Sequence, residues 1–296
     1  MLPAVVCVLG VRIAQLLGER CVLPPDVWVL GVRIAQLLGE RCVLPPDPSA
    51  GGRTLFGMFD AHCHLTAVPR AEHPVSGWVL PGLDAAQDAE NAPLADDPRV
   101  HRAVGLHPWF LPSGDALDEA VAALESRIGG AVAVGETGLD KLRRAGPRDV
   151  QEAAYRAQVT IAAAHALPLI LHVVGRHGAC LEVLREVGFP ESLGGMVHDF
   201  GGPAEMVPEW IAAGFRLSIS PRSLVDREAP VDAALIRPER IPMLQRIPRD
   251  MLLVETDDFG VERLPAVIVA VSRALDWDAS EVADQTRRNA RRLFRR

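Results

Sequence analysis

From Phe56 onwards, the chain alternates short runs of apolar residues with stretches in which apolar residues recur every three or four positions. The short runs are rich in β-branched residues and predict strands, while the longer spacing is typical of helices that bury one face. Eight strands are predicted, at 56–64, 77–81, 100–106, 131–136, 168–173, 194–198, 215–219 and 251–256. The clearest helices are predicted at Asp115–Ile128, Asp149–Ala166, Cys180–Val187 and Ala204–Ala213.

Eight strands that alternate with helices predict an α/β fold with a parallel sheet, and eight is the number that closes a (β/α)8 TIM barrel. An open doubly wound sheet is the alternative, but it usually carries a glycine-rich phosphate loop after its first strand. Here the first strand runs into His62-Cys63-His64, and no Gly-x-Gly-x-x-Gly or Walker A pattern occurs in the chain. The pattern therefore favours the barrel.

The segment before the barrel contains an internal duplication, because residues 8–26 are repeated letter for letter at residues 29–47. Two copies are too few for a solenoid. A secretory signal is disfavoured, since charged residues interrupt the apolar run. We therefore expect residues 1–52 to be a peripheral, non-core extension that ends in a linker, and residues 53–296 to form the barrel.

Composition and charge narrow the function classes. The formal net charge of -7 gives no overall attraction to nucleic acid, so a phosphate substrate would need local Arg or Lys side chains or a metal. The 5 cysteines include no Cys-x-x-Cys pair, which argues against a disulfide framework and predicts a reducing, cytoplasmic location. No uncharged apolar run reaches about 18 residues, so no membrane span is expected. No obligate protein partner is evident from the sequence.

Two histidines, one residue apart, end the first predicted strand. On a strand, residues i and i+2 point to the same face, so His62 and His64 would aim at one point with Cys63 turned away. Neutral imidazole is the commonest metal ligand in proteins. The pair alone is a weak signal, and it gains weight only if other strands bring ligands to the same place.

Polar residues follow several other predicted strands where these end. They are His107, Glu136, Asp140, His172, His198, Asp199, Glu255 and Asp257. Barrel active sites are built at the carboxyl ends of the strands, so these side chains would meet at one mouth. Each has a separate explanation: His172 could be a core histidine, Glu136 a helix cap, and Asp257 part of a solvated turn. A metal centre accounts for all of them, whereas burying so many ionisable groups without metal would be costly.

A set of imidazoles and carboxylates drawn from these residues, such as four histidines with two carboxylates, suits divalent ions such as Zn, Mn or Mg. A bridging carboxylate would allow two divalent metal ions in one site. Two ions about 3.5–4 Å apart favour hydrolysis, most naturally of a phosphodiester, an amide or an ester. The residues alone leave these substrate classes open.

Seven short motifs occur in one order between about Phe56 and Phe294. They are DAHCHL, VGLHPW, VGETGLD, a Q-x-x-x-Y-x-x-Q helix before LPLILH, VHDFGG, LLVETD and a terminal RRNARRLF. This series resembles the TatD family of metal-dependent deoxyribonucleases, which belong to the amidohydrolase-like TIM barrels. The resemblance covers nearly everything after the duplicated segment.

The resemblance implies roles for individual residues. The implied metal ligands are His62, His64, Glu136, His172, His198 and Asp257. Glu136 would bridge the ions, and Asp257 would orient or deprotonate the attacking water, so these two residues are the implied catalytic pair. His107 would contact a substrate phosphate. The implied activity is metal-dependent removal of nucleotides from a DNA 3′ end, that is, a 3′–5′ exonuclease acting on DNA ends.

Three departures from the family pattern bear on the substrate. Members often carry an arginine where this chain has Val174, and Arg176 or His177 could take its place. Asp258-Phe259-Gly260 replaces the usual small residue, proline and tyrosine, and Asp199 adds negative charge near the mouth. A small-molecule amide or ester hydrolase on the same scaffold is therefore the second hypothesis. A catalytically inactive metal-binding protein is the third, and the intact ligand set argues against it.

Further residues near the predicted mouth have two readings each. Asp60 and Asp140 would either fix a ligand histidine or cap a turn. Aromatic content is only 5%, so no extended stacking platform is expected, although Trp109 and Phe200 could stack on a terminal base. Arginines on the loops after strands 4 and 7 would either hold a DNA backbone or be solvated; they are Arg143, Arg144 and Arg222.

Overall fold

A computed structural model describes residues 57–69, 73–142 and 146–294 of the chain. The duplicated segment, the domain boundary after residue 52, and the loop residues Arg143 and Arg144 lie outside the described residues, so what we expect of them stays a prediction. Within the described residues, no helix combines the length and the apolar character that a membrane span requires.

All eight predicted strands are present. They are β1 (Met58–Asp60), β2 (Val75–Leu80), β3 (Val100–Arg102), β4 (Val134–Asp140), β5 (Leu169–Val174), β6 (Gly195–Val197), β7 (Phe215–Ile219) and β8 (Leu252–Val254). Most strand ends differ from the prediction by a few residues, and β3 stops at Arg102 instead of reaching residue 106. Two further differences concern site residues. β1 stops at Asp60 instead of reaching His64, and β4 continues to Asp140 instead of stopping at Glu136.

The four predicted helices are also present, together with others that the apolar spacing did not single out. The described helices are α1 (Ala85–Asn91), α2 (Asp115–Ser126), α3 (Arg148–Ala164), α4 (His177–Val187), α5 (Val207–Ala212), α6 (Ile241–Leu244), α7 (Leu264–Leu275) and α8 (Ala279–Leu293). Local chemistry explains several ends. Asp278 caps α8 by accepting from the amide of Ser280, and α4 ends at Gly188, whose φ of 71° suits glycine.

Two hydrogen-bonded sheets together make the barrel. The strand order is β1-β2-β3 in one and β4-β5-β6-β7-β8 in the other, and all neighbours are parallel. Isolated parallel bridges join the two sheets, one between Val104 and Val134 and one between Cys63 and Asp257. The segment after β3 thus pairs with β4, and the segments after β1 and β8 pair with each other. The eight strands close into the predicted TIM barrel.

Apolar side chains from five strands and the last helix form one buried cluster. Its members include Phe59, Val79, Ile170, Met196, Leu253, Leu293 and Phe294. A larger cluster packs the helices on the strands and includes Tyr155, Trp210 and Val267. The ionisable site residues follow β1, β3, β6 and β8, whereas Glu136 and His172 lie within β4 and β5. Active sites of this fold are usually built at the carboxyl ends of the strands.

Candidate metal centre

His62 and His64 follow β1 and do not lie on it, because the strand ends at Asp60. Strand alternation was therefore the wrong reason for their convergence, although the two ring centroids do lie 5.4 Å apart. Asp60 sets the path of the chain here. Its Oδ1 accepts from the amides of His62 (3.4 Å) and Thr256 (3.0 Å), and its Oδ2 accepts from the Thr256 hydroxyl (2.7 Å). Asp60 thus holds the backbone of His62, and not its ring.

Cys63 turns away from the two histidines, as predicted. Its Sγ lies 3.8 Å from the carbonyl oxygen of Val79, and the residue is fully buried. Burial raises the pKa of the Cys63 thiol well above its usual value. The thiol therefore stays protonated and offers no nucleophile to the site.

One side of the polar cluster brings together His62, His64, Glu136 and Asp257. The Nε2 atoms of His62 and His64 lie 3.4 and 3.8 Å from Oε1 of Glu136. The same nitrogen atoms lie 3.7 and 3.6 Å from Oδ1 of Asp257. Asp257 is placed there by its backbone, because its amide donates to the carbonyl of His62 at 2.9 Å. Four possible ligand atoms therefore face one another.

The other oxygen of Glu136 faces a second group of histidines. Oε2 lies 2.9 Å from Nε2 of His198, 3.5 Å from Nδ1 of His172 and 3.5 Å from Nε2 of His107. Nδ1 of His172 and Nε2 of His198 are 3.0 Å apart. One carboxylate thus stands between two groups of imidazoles and turns one oxygen to each.

The histidines of the cluster lower the pKa of its two carboxyl groups. Burial would raise the pKa of Glu136, but His198, His62 and His107 lower it well below its usual value. Burial likewise raises the pKa of Asp257, but His64, His198 and His62 hold it below its usual range. Both side chains are therefore carboxylates at neutral pH, which is the form that binds a cation.

His172 is held in place by Asp140. Its Nε2 lies 2.9 Å from Oδ2 of Asp140, which also accepts from the indole Nε1 of Trp109 at 2.7 Å. Oδ1 of Asp140 accepts from the amide of Leu142 at 2.6 Å. Burial would raise the pKa of Asp140, but these hydrogen bonds, above all the one with His172, lower it to about 2. Both readings of Asp140 therefore hold: it orients a histidine of the cluster and it closes a turn.

Glu255 takes the corresponding place behind His198, a role that the sequence analysis did not single out. The residue is fully buried, and its Oε1 lies 3.6 Å from Nδ1 of His198. The same oxygen accepts from the amide of Asp199 at 2.7 Å. The sequence signal was its place among the polar residues at the end of the eighth predicted strand. Because β8 and the residues after it are buried, this neighbour of a site residue also reaches the cluster.

His107 differs from the other histidines in its hydrogen bonding. Its Nδ1 accepts from the amide of Trp109 at 3.1 Å, so the proton of the neutral ring lies on Nε2, the atom that faces Glu136. Burial lowers the pKa of His107 to about 3, and the charge of Glu136 only partly offsets it. His107 is therefore a neutral hydrogen-bond donor at the edge of the cluster.

The buried atoms of the cluster fit a divalent cation. His62 is fully buried, and neither of its ring nitrogens has a hydrogen-bond partner among the described residues. Such atoms cost free energy unless something else satisfies them. Ligand atoms of His62, His64 and Glu136 lie within 4.8 Å of one another, as do those of His107, Glu136 and His172. Imidazole and carboxylate donors in this number suit Zn, Mn or Mg.

The residues predicted to contact the substrate differ in whether the structure leaves them able to do so. Arg176 is half-buried at the start of α4, and no described hydrogen bond or ion pair joins it to the cluster. His177 does not replace the missing arginine, because it is buried and accepts from Nε1 of Trp210 at 3.1 Å. Phe200 is 1% exposed, so the prediction that it stacks on a base was wrong. Phe110, which the sequence analysis overlooked, is 50% exposed, and its ring lies 5.6 Å from that of His107.

Comparison with known proteins agrees with this architecture. The chain is 28% identical over 265 residues to the metal-dependent hydrolase YabD of Bacillus subtilis, covering 80% of this chain and 99% of YabD. It is 29% identical over 238 residues to the 3′-5′ ssDNA/RNA exonuclease TatD of a Rahnella strain, covering 74% and 87% of the two chains. The crystal structure of the TatD homologue YjjV from Escherichia coli superposes with a TM-score of 0.67 at 25% identity, covering 81% and 98%.

The sequence model of the TatD-related DNases matches residues 59–295, which is the whole barrel apart from its first and last residues. This match and the similarity to YabD agree with the histidine and glutamate cluster that can bind metal. The chain therefore belongs to the family of TatD-related DNases and is a metal-dependent hydrolase of that family.

Proposed function

We propose that this chain is a metal-dependent nuclease that removes nucleotides from the 3′ end of single-stranded DNA. The observation that carries the proposal is the position of Glu136, whose two oxygens face two separate groups of imidazoles. The name of the Rahnella relative, a 3′-5′ ssDNA/RNA exonuclease, supports this choice of substrate.

Six residues would hold two divalent cations, of which Mg, Mn and Zn are the candidates. His62, His64, Glu136 and Asp257 surround one position, and Glu136, His172 and His198 surround the other. Bound cations at such a site supply Lewis acidity toward phosphate and lower the pKa of water. The residues of the chain would then set the direction of attack and the path of protons.

Asp257 would accept the proton of the attacking water. It stays ionised at neutral pH, and its Oδ1 faces the cluster beside His62 and His64. His107 would donate from Nε2 to a phosphate oxygen, because its Nδ1 already accepts from the amide of Trp109. The role of Asp257 rests on its lowered pKa, and the role of His107 rests on the tautomer inferred from the contact of its Nδ1.

Phe110 would provide the stacking surface for the terminal base. Its half-exposed ring lies next to His107, so a phosphate at His107 would bring the neighbouring base within its reach. Trp109 is less suited, because its indole nitrogen donates to Asp140. Stacking of this kind tolerates any base, which suits a nuclease without sequence preference.

Hydrolysis of an amide or ester in a small molecule remains the second candidate. It is favoured by the carboxylates at the mouth, where Asp199 and Asp258 both lie close to Asp257 through a shared arginine, Arg222. Arg222 bonds three carboxylates and is not free to bind a phosphate. Val174 stands where the family's motif often has an arginine, which also weakens the case for a polyanion.

One assay separates these functions. The full chain, freed of metal by chelation and then given Mn²⁺, Mg²⁺ or Zn²⁺, is incubated with single-stranded DNA labelled at the 5′ end. We expect a metal-dependent ladder of products that shorten from the 3′ end, reduced at least about 100-fold by Asp257→Asn. Asp118→Asn, an exposed change on α2, is the matched control.

Two outcomes would overturn the nuclease proposal. One is DNA that stays intact with every metal. The other is shortening that persists in Asp257→Asn. If DNA stays intact while a p-nitrophenyl ester or a dipeptide is hydrolysed with the same metal and Asp257 dependence, the second candidate replaces the first.

A further inference from the structure

Arg222 connects three loops at the mouth of the barrel. It lies in the short 3-10 turn Pro221–Ser223 that follows β7. Its Nε lies 2.9 Å from Oδ2 of Asp199, which follows β6. Its Nη2 lies 3.1 Å from Oδ2 of Asp257 and 3.2 Å from Oδ1 of Asp258, which follow β8. A planar guanidinium with donors on two sides is suited to holding carboxylates in fixed directions.

The contact with Arg222 gives the two carboxylate oxygens of Asp257 different partners. Oδ2 is taken by Arg222, while Oδ1 faces His62 and His64 at 3.7 and 3.6 Å. The Asp257 side chain is 9% exposed, so few other groups compete for it. A carboxylate held in this way offers a single oxygen to a cation, and its plane cannot rotate without breaking the bond to Arg222.

Arg222 is itself held from several sides. Its Cζ lies 5.1 Å from the centroid of the Phe259 ring. Asp199 has the carboxylate oxygen nearest to Arg222. Its side chain accepts from the hydroxyl of Ser220, and its amide donates to Oε1 of Glu255, which lies behind His198. The series from His198 through Glu255, Asp199 and Arg222 to Asp257 therefore runs around the outside of the cluster and joins its two groups.

We propose that Arg222 is a positioning residue of the metal centre, which holds Asp257 so that Oδ1 alone is presented to the cation between His62 and His64. This inference rests on the proposed metal centre and not on the choice of DNA as substrate. A positioning role and a purely electrostatic role of Arg222 predict opposite changes in metal affinity. A positive charge 3.1 Å from a ligand oxygen repels a cation, so its removal would by itself tighten metal binding. Positioning predicts the opposite change, because a mobile Asp257 binds metal less well.

The test is the affinity of the metal-free full chain for Mn²⁺, followed by electron paramagnetic resonance of the free ion. We expect Arg222→Met to weaken binding at one site by about tenfold or more, and Arg222→Lys to recover part of the loss. The matched control is Arg227→Met. Arg227 is exposed and lies 5.8 Å from the same Phe259 ring, but no described ion pair joins it to Asp257. This control should bind Mn²⁺ as the unchanged chain does.

Asp199→Asn is a second, milder variant that removes the main anchor of Arg222 but leaves Asp257 and its arginine in place. Asp199→Asn should weaken Mn²⁺ binding by a smaller factor than Arg222→Met. It tests the positioning role if Arg222→Met does not fold. Unchanged or tighter Mn²⁺ binding in Arg222→Met, or in both Arg222→Lys and Asp199→Asn, overturns the positioning role while leaving the metal centre intact. Failure of the unchanged chain to bind Mn²⁺ overturns the metal centre itself, and the positioning role with it.

Discussion

Asp140 and His172 form a hydrogen-bonded pair at the carboxyl ends of β4 and β5, with 2.9 Å between Oδ2 and Nε2. The pair leaves Nδ1 of His172 directed at the centre of the cluster, 3.5 Å from Oε2 of Glu136. The carboxylate thus selects the tautomer of the histidine and the direction of its free lone pair. Sequence spacing alone could place the two residues on neighbouring strands, but it could not show which nitrogen faces which partner.

Removing the charge of Asp140 should weaken metal binding without removing a ligand. We expect Asp140→Asn to lower the affinity for Mn²⁺ by about 10–100-fold, because the amide no longer fixes the tautomer of His172. Isothermal titration of the metal-free chain measures this. Trp109→Phe, which removes only one hydrogen bond to Asp140, should have a smaller effect. Equal losses in the two variants would contradict the idea that His172 is the residue through which Asp140 acts.

Replacing both His62 and His64 by Ala should reduce the stabilisation that metal gives the fold. In the unchanged chain, Mn²⁺ at about 100 times its dissociation constant should raise the free energy of unfolding by about 2.7 kcal/mol. The double variant should keep its circular dichroism spectrum but gain clearly less from metal, because His62 and His64 line one of the two proposed positions while Glu136, His172 and His198 still line the other. Thermal unfolding with and without Mn²⁺ is the measurement. Undiminished stabilisation in the double variant would mean that metal binds elsewhere.

Phe110→Ala should affect DNA binding and little else. Stacking of one base on an aromatic ring contributes about 1–3 kcal/mol, so KM for single-stranded DNA should rise roughly tenfold or more. Thermal stability should hardly change, because the side chain is 50% exposed. Leu235→Ala is the matched control, since Leu235 is equally exposed on the loop after β7. A KM that changes equally in both variants would remove Phe110 from the substrate site.

Arg176 stays a predicted substrate contact, and salt dependence tests it. If its guanidinium neutralises one phosphate, Arg176→Met should lower the slope of log affinity against log salt by about 0.7, the value for one contact to a single strand. The comparison is Arg185→Met, a change in the last turn of the same helix, α4. Fluorescence anisotropy with labelled single-stranded DNA gives both slopes. Equal slopes in the two variants would exclude a phosphate contact by Arg176.

The fold could be predicted from the sequence because it depends on periodicity, which is a local property. The strands alternate regularly with helical stretches, and the first turn of the barrel carries histidines where a dinucleotide fold has glycines. The ends of the strands were harder. β1 was predicted to continue to His64, but the side chain of Asp60 bonds the amides of His62 and Thr256 and turns the chain after Asp60. Such a contact joins residues far apart in sequence and leaves no periodic signal.

The candidate site could be predicted in its composition but not in its surroundings. The six proposed ligands were implied by the motifs of the family, and the structure brings their side chains into one cluster. Glu255 was noted at the end of the eighth strand, but its place behind His198 could not be predicted, because that depends on the direction of one side chain. Phe200 was predicted to be able to stack on a base, yet its amide donates to the carbonyl of Ser218 and its ring packs beside His177. Phe110 was not considered. Burial of a loop residue is decided by distant neighbours.

His177 predicts how stability changes with pH. Burial, with a smaller contribution from Arg240, lowers the pKa of this histidine to about 4, while the unfolded chain has the ordinary value of about 6.5. Between these values the unfolded chain binds the proton and the folded chain does not, so stability falls as pH falls. The loss should approach about 1.4 kcal/mol for each pH unit below about 6.5 and level off near pH 4.

The measurement is the free energy of unfolding in urea from pH 4 to pH 8, for the unchanged chain and for His177→Asn. Asn was chosen because its carbonyl can still accept from Nε1 of Trp210, which donates to Nδ1 of His177 at 3.1 Å. The difference between the two curves isolates this histidine from the other titrating groups. The unchanged chain should be the more pH-dependent of the two between pH 4 and 6.5, and the curves should run parallel above pH 7. Parallel curves over the whole range would mean that His177 binds its proton as readily in the folded chain as in the unfolded one.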